Sequence, residues 1–330
     1  MKKILGFGNA LTDILLQIED DVVLQQMNLP KGSMQLVNEE KQRQISVCAQ
    51  HFNKELVAGG SAANTVNGIK MLGGEAGFIG KLGHDEIGQF YLDDTVESGA
   101  ASHMLFSDTP SGRCLVLISK DSERTMCTYL GASAELDETD LDACVFREYD
   151  YFHIEGYLVQ NKKMIRRALE MAKENGLIVS IDMASYNVVE ENLDFLLEVV
   201  PKYVDIVFAN EEEALVLTGA KTPQEALDII AEKVSIAVVK VGKQGSYIKS
   251  EGKTYFIEAG EAKCVDTTGA GDTYAAGFLY GLSLDYPLEI CGKIASFVAG
   301  NVVEVIGPRL KKEMIGKIRQ GVEDIVRNGK

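Results

Sequence analysis

Short apolar runs closed by glycine or asparagine alternate along much of this chain with stretches whose apolar positions recur at helical spacing. The run Ile4–Gly8 ends in Gly8-Asn9 and predicts a buried strand, and Leu11–Ile18 follows with a second, looser strand rhythm. Residues 20–29 and 39–52 carry helical spacing. In Ser61–Leu72, Ala62, Val66, Ile69 and Leu72 share one helical face, and Gly73-Gly74 ends it. Strands are predicted at Gly77–Ile79 and Arg113–Ile118. Arg124–Leu130 is expected to pair with the latter as a hairpin across Asp121-Ser122.

Beyond residue 150 the alternation is stricter. Tyr151–Ile154, Ile178–Ile181, Ile206–Ala209 and Ile236–Val241 predict strands. Between them, Met164, Ile165, Ala168, Leu169 and Ala172 line a helix that stops at Asn175-Gly176, and 189–199 and Pro223–Glu232 predict two more. A turn follows at Gly242–Gly245, then helices over 271–283, 287–303 and 310–327. Strands alternating with helices imply parallel βαβ units, hence an α/β chain whose mostly parallel sheet is flanked by helices. Segments 12–38 and 104–130 break that alternation. They are expected to form, as two excursions of a single 1–330 domain, a small β lid over one end of the sheet. No internal repeat or low-complexity linker appears.

Composition narrows the classes. The 330 residues are 46% hydrophobic, with 32 glycines and 6 prolines, which suits regular elements joined by tight turns. A net charge of −16 without any basic stretch argues against a nucleic-acid partner. Cysteines at 48, 114, 127, 144, 264 and 291 form no C-x-x-C pair, so a reducing, cytoplasmic setting is expected rather than zinc or disulfides. The apolar start breaks at Asn9 and Asp13, too early for a signal peptide, and no run reaches membrane-span length.

Ligands of open parallel sheets bind beyond the carboxyl ends of the strands. That rule selects Asn9, Asp13, Asp182, Asn210, Glu213 and the Lys240–Gly245 turn. The sharpest feature is Asp266-Thr267-Thr268-Gly269-Ala270-Gly271-Asp272-Thr273, followed by the apolar stretch Tyr274–Leu282. Small residues at a helix start let bare amides hold an anion, and Asp272 could take a proton from an attacking hydroxyl beside them. A plain helix cap with a glycine entry explains the same residues equally well. Gly59-Gly60-Ser61-Ala62-Ala63-Asn64 is a second glycine turn, suited to a polyol or to nothing beyond a tight connection. No G-x-x-x-x-G-K-[ST] occurs, and no G-x-G-x-x-G follows the first strand, which excludes a standard P-loop or dinucleotide fingerprint and disfavours a dehydrogenase.

With both glycine regions in order, Gly59–Gly74 and DTTGAGDTYAAG at Asp266–Gly277, the chain resembles the PfkB (ribokinase-like) carbohydrate kinases. The stretches Gly8–Asp13, Gly59–Asn64 and Tyr203–Glu213 look most like the adenosine kinase branch. The resemblance implies a ribokinase-like three-layer αβα fold and an ATP-dependent kinase acting on a hydroxyl of a small sugar or nucleoside, as monomer or homodimer. It implies Asp272 as general base and Gly269, Ala270 and Gly271 as an anion hole. Asn9, Asp13, Gly60 and Asn64 would bind sugar hydroxyls, and Asn210 and Glu213 would organise Mg²⁺ and its waters. Lys240, Gly242, Gly245 and the 296–303 helix would flank the nucleotide. Asp266 and Thr268 match positions that hold K⁺ in some relatives. A ribokinase- or fructokinase-like acceptor, or a non-catalytic binder on the same fold, stays open at this point. Lys240 departs from the Thr or Ser that many relatives carry there. Leu36, Tyr157 and Leu158 are expected either as a base-stacking wall or as lid packing, and Arg113 and Arg124 as phosphate neutralisers or a solvated hairpin.

Overall fold

The computed structural model describes residues 1–121 and 123–329. In chain order its strands are β1 (Lys3–Phe7), β2 (Leu11–Gln17), β3 (Met34–Leu36), β4 (Lys54–Gly59), β5 (Glu75–Gly83), β6 (Ala101–Ser107) and β7 (Gly112–Ile118). They continue as β8 (Arg124–Tyr129), β9 (Tyr151–Glu155), β10 (Ile178–Asp182), β11 (Ile206–Asn210), β12 (Ile236–Lys240), β13 (Gly245–Ser250) and β14 (Lys253–Glu258). A nine-stranded sheet runs β14-β13-β12-β11-β10-β9-β1-β5-β6, parallel from β12 to β6 and closed at the other edge by the antiparallel β13–β14 hairpin. A five-stranded sheet runs β3-β8-β7-β2-β4.

Strand alternation builds the layers. Ile4, Phe78, Phe208 and Val238 turn to one face, against helices Ser61–Leu72, Ala270–Ser283 and Leu288–Val302. Leu5, Phe7, Val207 and Val239 turn to the other, against helices Lys162–Glu174 and Leu193–Tyr203. Phe208 meets Phe278 edge-on at 5.4 Å, tying the middle of the sheet to the Ala270–Ser283 helix. Burying each ring contributes roughly 2–3 kcal/mol.

The helices Ser61–Leu72 and Ala270–Ser283 approach closely. A Cβ on Gly68 would lie 2.7 Å from the Ala276 Cβ, so only glycine lets the two axes sit this near. That contact decides how close the first turns of the two helices stand at the sheet edge.

Several expectations are corrected. β4 joins the small sheet, and residues 104–107 belong to β6 at the edge of the large one. The 189–199 helix is two, Tyr186–Glu191 and Leu193–Tyr203, because Asn192 sits between them at φ −120°. Helix Glu86–Glu97, capped by Asp85 accepting from the Gly88 N–H, was not anticipated, since its apolar face is thin. The 20–29 helix shortens to Val22–Gln26, and 310–327 becomes Ile315–Asn328. β7 and β8 pair antiparallel, whereas Ser122 of the expected turn lies outside the described residues.

In the small sheet, Ile14, Leu16, Leu115 and Leu117 pack under helices Val22–Gln26 and Glu39–Cys48. Because side chains alternate, Asp13 falls on the opposite face. Among the described residues, no helix is long and apolar enough to cross a membrane.

Candidate active site

A cavity of about 700 Å³ opens at the carboxyl ends of the parallel strands, where the two sheets meet. Parallel register sets polar residues side by side at that edge: Asp182 pairs with Glu155, and Asn210 with Lys240.

Asp272 occupies the first turn of the Ala270–Ser283 helix and lines the cavity. Ser61 Oγ donates to its Oδ1 at 2.7 Å, and Asn64 Nδ2 to its Oδ2 at 2.9 Å. Both donors ride on the Ser61–Leu72 helix, brought within reach by the Gly68 contact. Arg309 Nε in turn donates to Asn64 Oδ1 at 3.2 Å, while its other arm pairs with Asp94. The guanidinium thus fixes which end of the Asn64 amide faces the carboxylate. Burial raises the Asp272 pKa above the ordinary carboxylate value, against the lowering pull of the Asn64 and Ser61 hydrogen bonds. Among the described residues, no cation is paired with it.

The turn before Asp272 supplies open amides. Gly269 caps the helix at φ 74°, a conformation costly for any residue with a Cβ. The Ala270 N–H bonds Thr267 O at 3.2 Å, so the amides left without a partner among the described residues are those of Gly269, Gly271 and Asp272. Ala270 itself lines the cavity, but its N–H is spent.

A charged group lies across from this turn. Lys240 Nζ donates to Asp182 Oδ2 at 2.7 Å, and Asp182 Oδ1 accepts from the Ala184 N–H at 3.0 Å. Burial opposes the Lys240 charge, yet Asp182 and Glu213 outweigh it and hold its pKa above the usual lysine value. Asn210 and Glu213 form a reciprocal cap on helix Glu211–Thr218, with Glu213 Oε2 accepting the Asn210 N–H and Oε1 its Nδ2, both at 2.7 Å. Burial, then the charge of Asp182, raises the Glu213 carboxyl to about 7. Among the described residues, no three His, Cys, Asp or Glu side chains converge as a metal-binding group. With both oxygens of Glu213 occupied, this pair suits a hydrated Mg²⁺ held through its waters rather than by direct ligation.

The other predicted residues divide. Asp13, Gly60 and Asn64 line the cavity. Asp13 accepts no hydrogen bond among the described residues, and burial pushes its carboxyl up to about 7, moderated by the charge of Arg309. Asn9 does not line the cavity: its N–H and Nδ2 both donate to Glu155 Oε1, at 2.8 and 2.6 Å. Glu155 Oε2 also accepts the Ala62 N–H at 3.0 Å, so this buried carboxylate ties the first strand end to the second glycine turn. Gly242 and Gly245 line the cavity, joined by Ser296, Ala299, Gly300 and Val303 of the expected 296–303 wall. Of the proposed base wall, Tyr157 reaches the cavity, whereas Leu158 is core and Leu36 stands exposed on β3.

Asp266 faces a protein cation. Arg124 from β8 places Nη2 2.5 Å from Asp266 Oδ2 and donates from Nη1 to Thr268 Oγ1 at 3.0 Å, linking the small sheet to the glycine turn. Thr268 and the Gly307 N–H complete the partners of that carboxylate. Arg113 instead lies 5.8 Å over the Tyr129 ring.

Sequence reasoning missed Arg309 and Glu155, and gave Ser61 no role. Ser61 had a signal in its place beside the glycine turn. Arg309 lies 245 residues from Asn64 and in no motif, so nothing short of the fold could find it.

The pfkB family carbohydrate kinase profile matches residues 33–314. The adenosine kinase from Sinorhizobium meliloti is 33% identical, with TM-score 0.86, covering 97% of this chain and 99% of that one. A probable sugar kinase from Rhizobium etli is 32% identical, with TM-score 0.87 and the same coverage. An uncharacterized sugar kinase from Archaeoglobus fulgidus is 29% identical over 245 residues, 73% of this chain and 96% of that protein.

Proposed function

Since the chain belongs to the pfkB family of carbohydrate kinases and has their ribokinase-like α/β fold, we propose that it phosphorylates a primary hydroxyl of a nucleoside, adenosine first, with Asp272 as base. The observation that carries this reading is the Asp272 carboxylate: cavity-lining, in no ion pair among the described residues, and oriented by Ser61 and Asn64 beside the open amides of Gly269 and Gly271.

ATP is the phosphoryl donor expected of the family. Its triphosphate lies along the Gly269–Asp272 turn, with the nucleoside portion between Gly242–Gly245 and the Ser296–Val303 wall. The acceptor lies beneath the small sheet, which serves as lid, and the free Asp13 oxygens take its hydroxyls. Asp272 accepts the proton of the attacking hydroxyl, and the amides stabilise charge on the transferring group. Asn210 and Glu213 would hold the water shell of Mg²⁺, which screens triphosphate charge when bound. We place the enzyme in the cytoplasm, consistent with six unpaired cysteines.

A second acceptor class, a free sugar, is favoured by the likeness to the Rhizobium etli protein and by a cavity wall in which Tyr157 is the lone member of the expected base wall. ADP release measured with adenosine, other nucleosides, ribose and hexoses tests both. Adenosine is expected to give the highest kcat/KM. Turnover confined to hexoses would replace the nucleoside reading, and none with any acceptor would refute both.

A further inference from the structure

The mechanism above gives the charged, cavity-lining Lys240 no role. Lys240 ends β12 and points across the strand edge to the glycine turn. Apart from chain neighbours and the helix's own backbone, its Nζ is the one atom within 4 Å of a Cβ built on Gly271, at 3.2 Å, so the ammonium stands beside the turn that carries the open amides. An ammonium carries three donors, and here a single hydrogen bond, to Asp182, is made among the described residues. The side chain lines the cavity at 16% exposure, and the charges that act on it are the carboxylates of Asp182, Glu213 and Asp272.

We propose that Lys240 is a catalytic residue whose ammonium contacts the transferring phosphoryl group opposite the Gly269–Asp272 amides. The proposal rests on the kinase reading above. In the transfer, the acceptor oxygen bonds to the γ-phosphorus as its proton passes to Asp272. The bond from that phosphorus to the bridging oxygen breaks, and the oxygen leaves on ADP with the electron pair. Lys240 stays protonated throughout and adds a fixed positive charge where negative charge builds. Asp182 keeps the ammonium aimed.

A purely structural role, balancing the buried Asp182 charge, is the rival, and the two separate cleanly. Lys240→Met is compared with Lys240→Met/Asp182→Asn, which removes both charges and leaves no carboxylate unpaired at that point. The proposal predicts that kcat falls about 10²–10³-fold in both, with the double variant melting near the wild type. Recovery of the double variant to within about threefold of wild-type turnover would assign Lys240 to charge balance.

A second arm needs no acceptor. Calorimetry with ADP and with the β,γ-imido analogue of ATP is expected to show Lys240→Met losing about tenfold or more for the analogue and little for ADP. Equal losses for both nucleotides, or none, overturn the proposal. This arm stays decisive even if the acceptor, or the role of Asp272, has been misassigned.

Discussion

Replacing Arg309 by methionine removes a group that touches neither acceptor nor nucleotide in the proposed scheme, yet its effect on turnover should be large. Its Nε holds Asn64 Oδ1 at 3.2 Å, and Asn64 presents its amide nitrogen to Asp272 at 2.9 Å. Without the guanidinium the Asn64 amide is free to turn, which exchanges the donor on Asp272 for an acceptor. A hydrogen bond to a charged group contributes about 1.5–3 kcal/mol, so kcat is expected to fall about 10- to 150-fold. Stability should fall less, by about 1–2 kcal/mol, because Asp94 is 34% exposed and can rehydrate once its partner is gone. A pH profile supplies the second readout. Burial pushes the Asp13 carboxyl up to about 7, restrained by the positive charge of Arg309. Removing that charge raises the Asp13 pKa further, so the acid limb of kcat/KM moves to higher pH. Steady-state ADP release over about two pH units either side of the Asp13 value measures both. Turnover within twofold of wild type with an unmoved acid limb would refute the Arg309–Asn64–Asp272 coupling.

Burial raises the folded Glu155 carboxyl to about 7 from 4.5, so the native state binds more protons than the unfolded one between those values, and this group's share of stability, at most about 3 kcal/mol, falls as pH rises through that window; chemical denaturation at several pH values should show a slope that Glu155→Gln makes shallower, leaving the shares of Asp13 and Glu213. Gly68→Ala places a Cβ 2.7 Å from the Ala276 Cβ and should cost about 1–3 kcal/mol by thermal melting while lowering kcat, whereas an unchanged kcat would detach this packing from the site. Because the Arg124 guanidinium already sits on Asp266 and Thr268, a K⁺ titration in choline-balanced buffer should leave wild-type activity flat, and Arg124→Met should make it K⁺-responsive; strong stimulation of the wild type would contradict that reading.

The periodic half of the chain was legible because its strands are buried on both faces. Tyr151–Glu155, Ile178–Asp182 and Ile206–Asn210 are buried runs, apolar but for His153 and Ser180 before their closing polar residue, and of those closing residues Asp182 and Asn210 line the cavity. Asp272 and its glycines were legible for a local reason, since helix start and glycine turn are contiguous in sequence. The small sheet was harder. β4 begins Lys54-Glu55-Leu56, all exposed, and β3 is three residues long, so neither offers a clean alternation. Asn9 was misplaced because sequence gives the strand end but not the partner awaiting it. The buried Glu155, 146 residues away, takes both its donors. Arg309 and Lys240 gain their meaning from juxtapositions across the fold, with Asn64 and with Gly271, that no spacing encodes.

The proposed reaction turns on the Asp272 carboxylate taking the acceptor proton. Asp272→Asn tests it with little structural cost, since the new amide can accept from Asn64 and donate to the Ser61 hydroxyl, which is able to reverse. Single-turnover phosphoryl transfer, measured beside calorimetric binding of ATP and acceptor, is expected to slow about 10²–10⁴-fold with both affinities held within a few-fold. Transfer at near wild-type rate in that variant would remove Asp272 from the role of base.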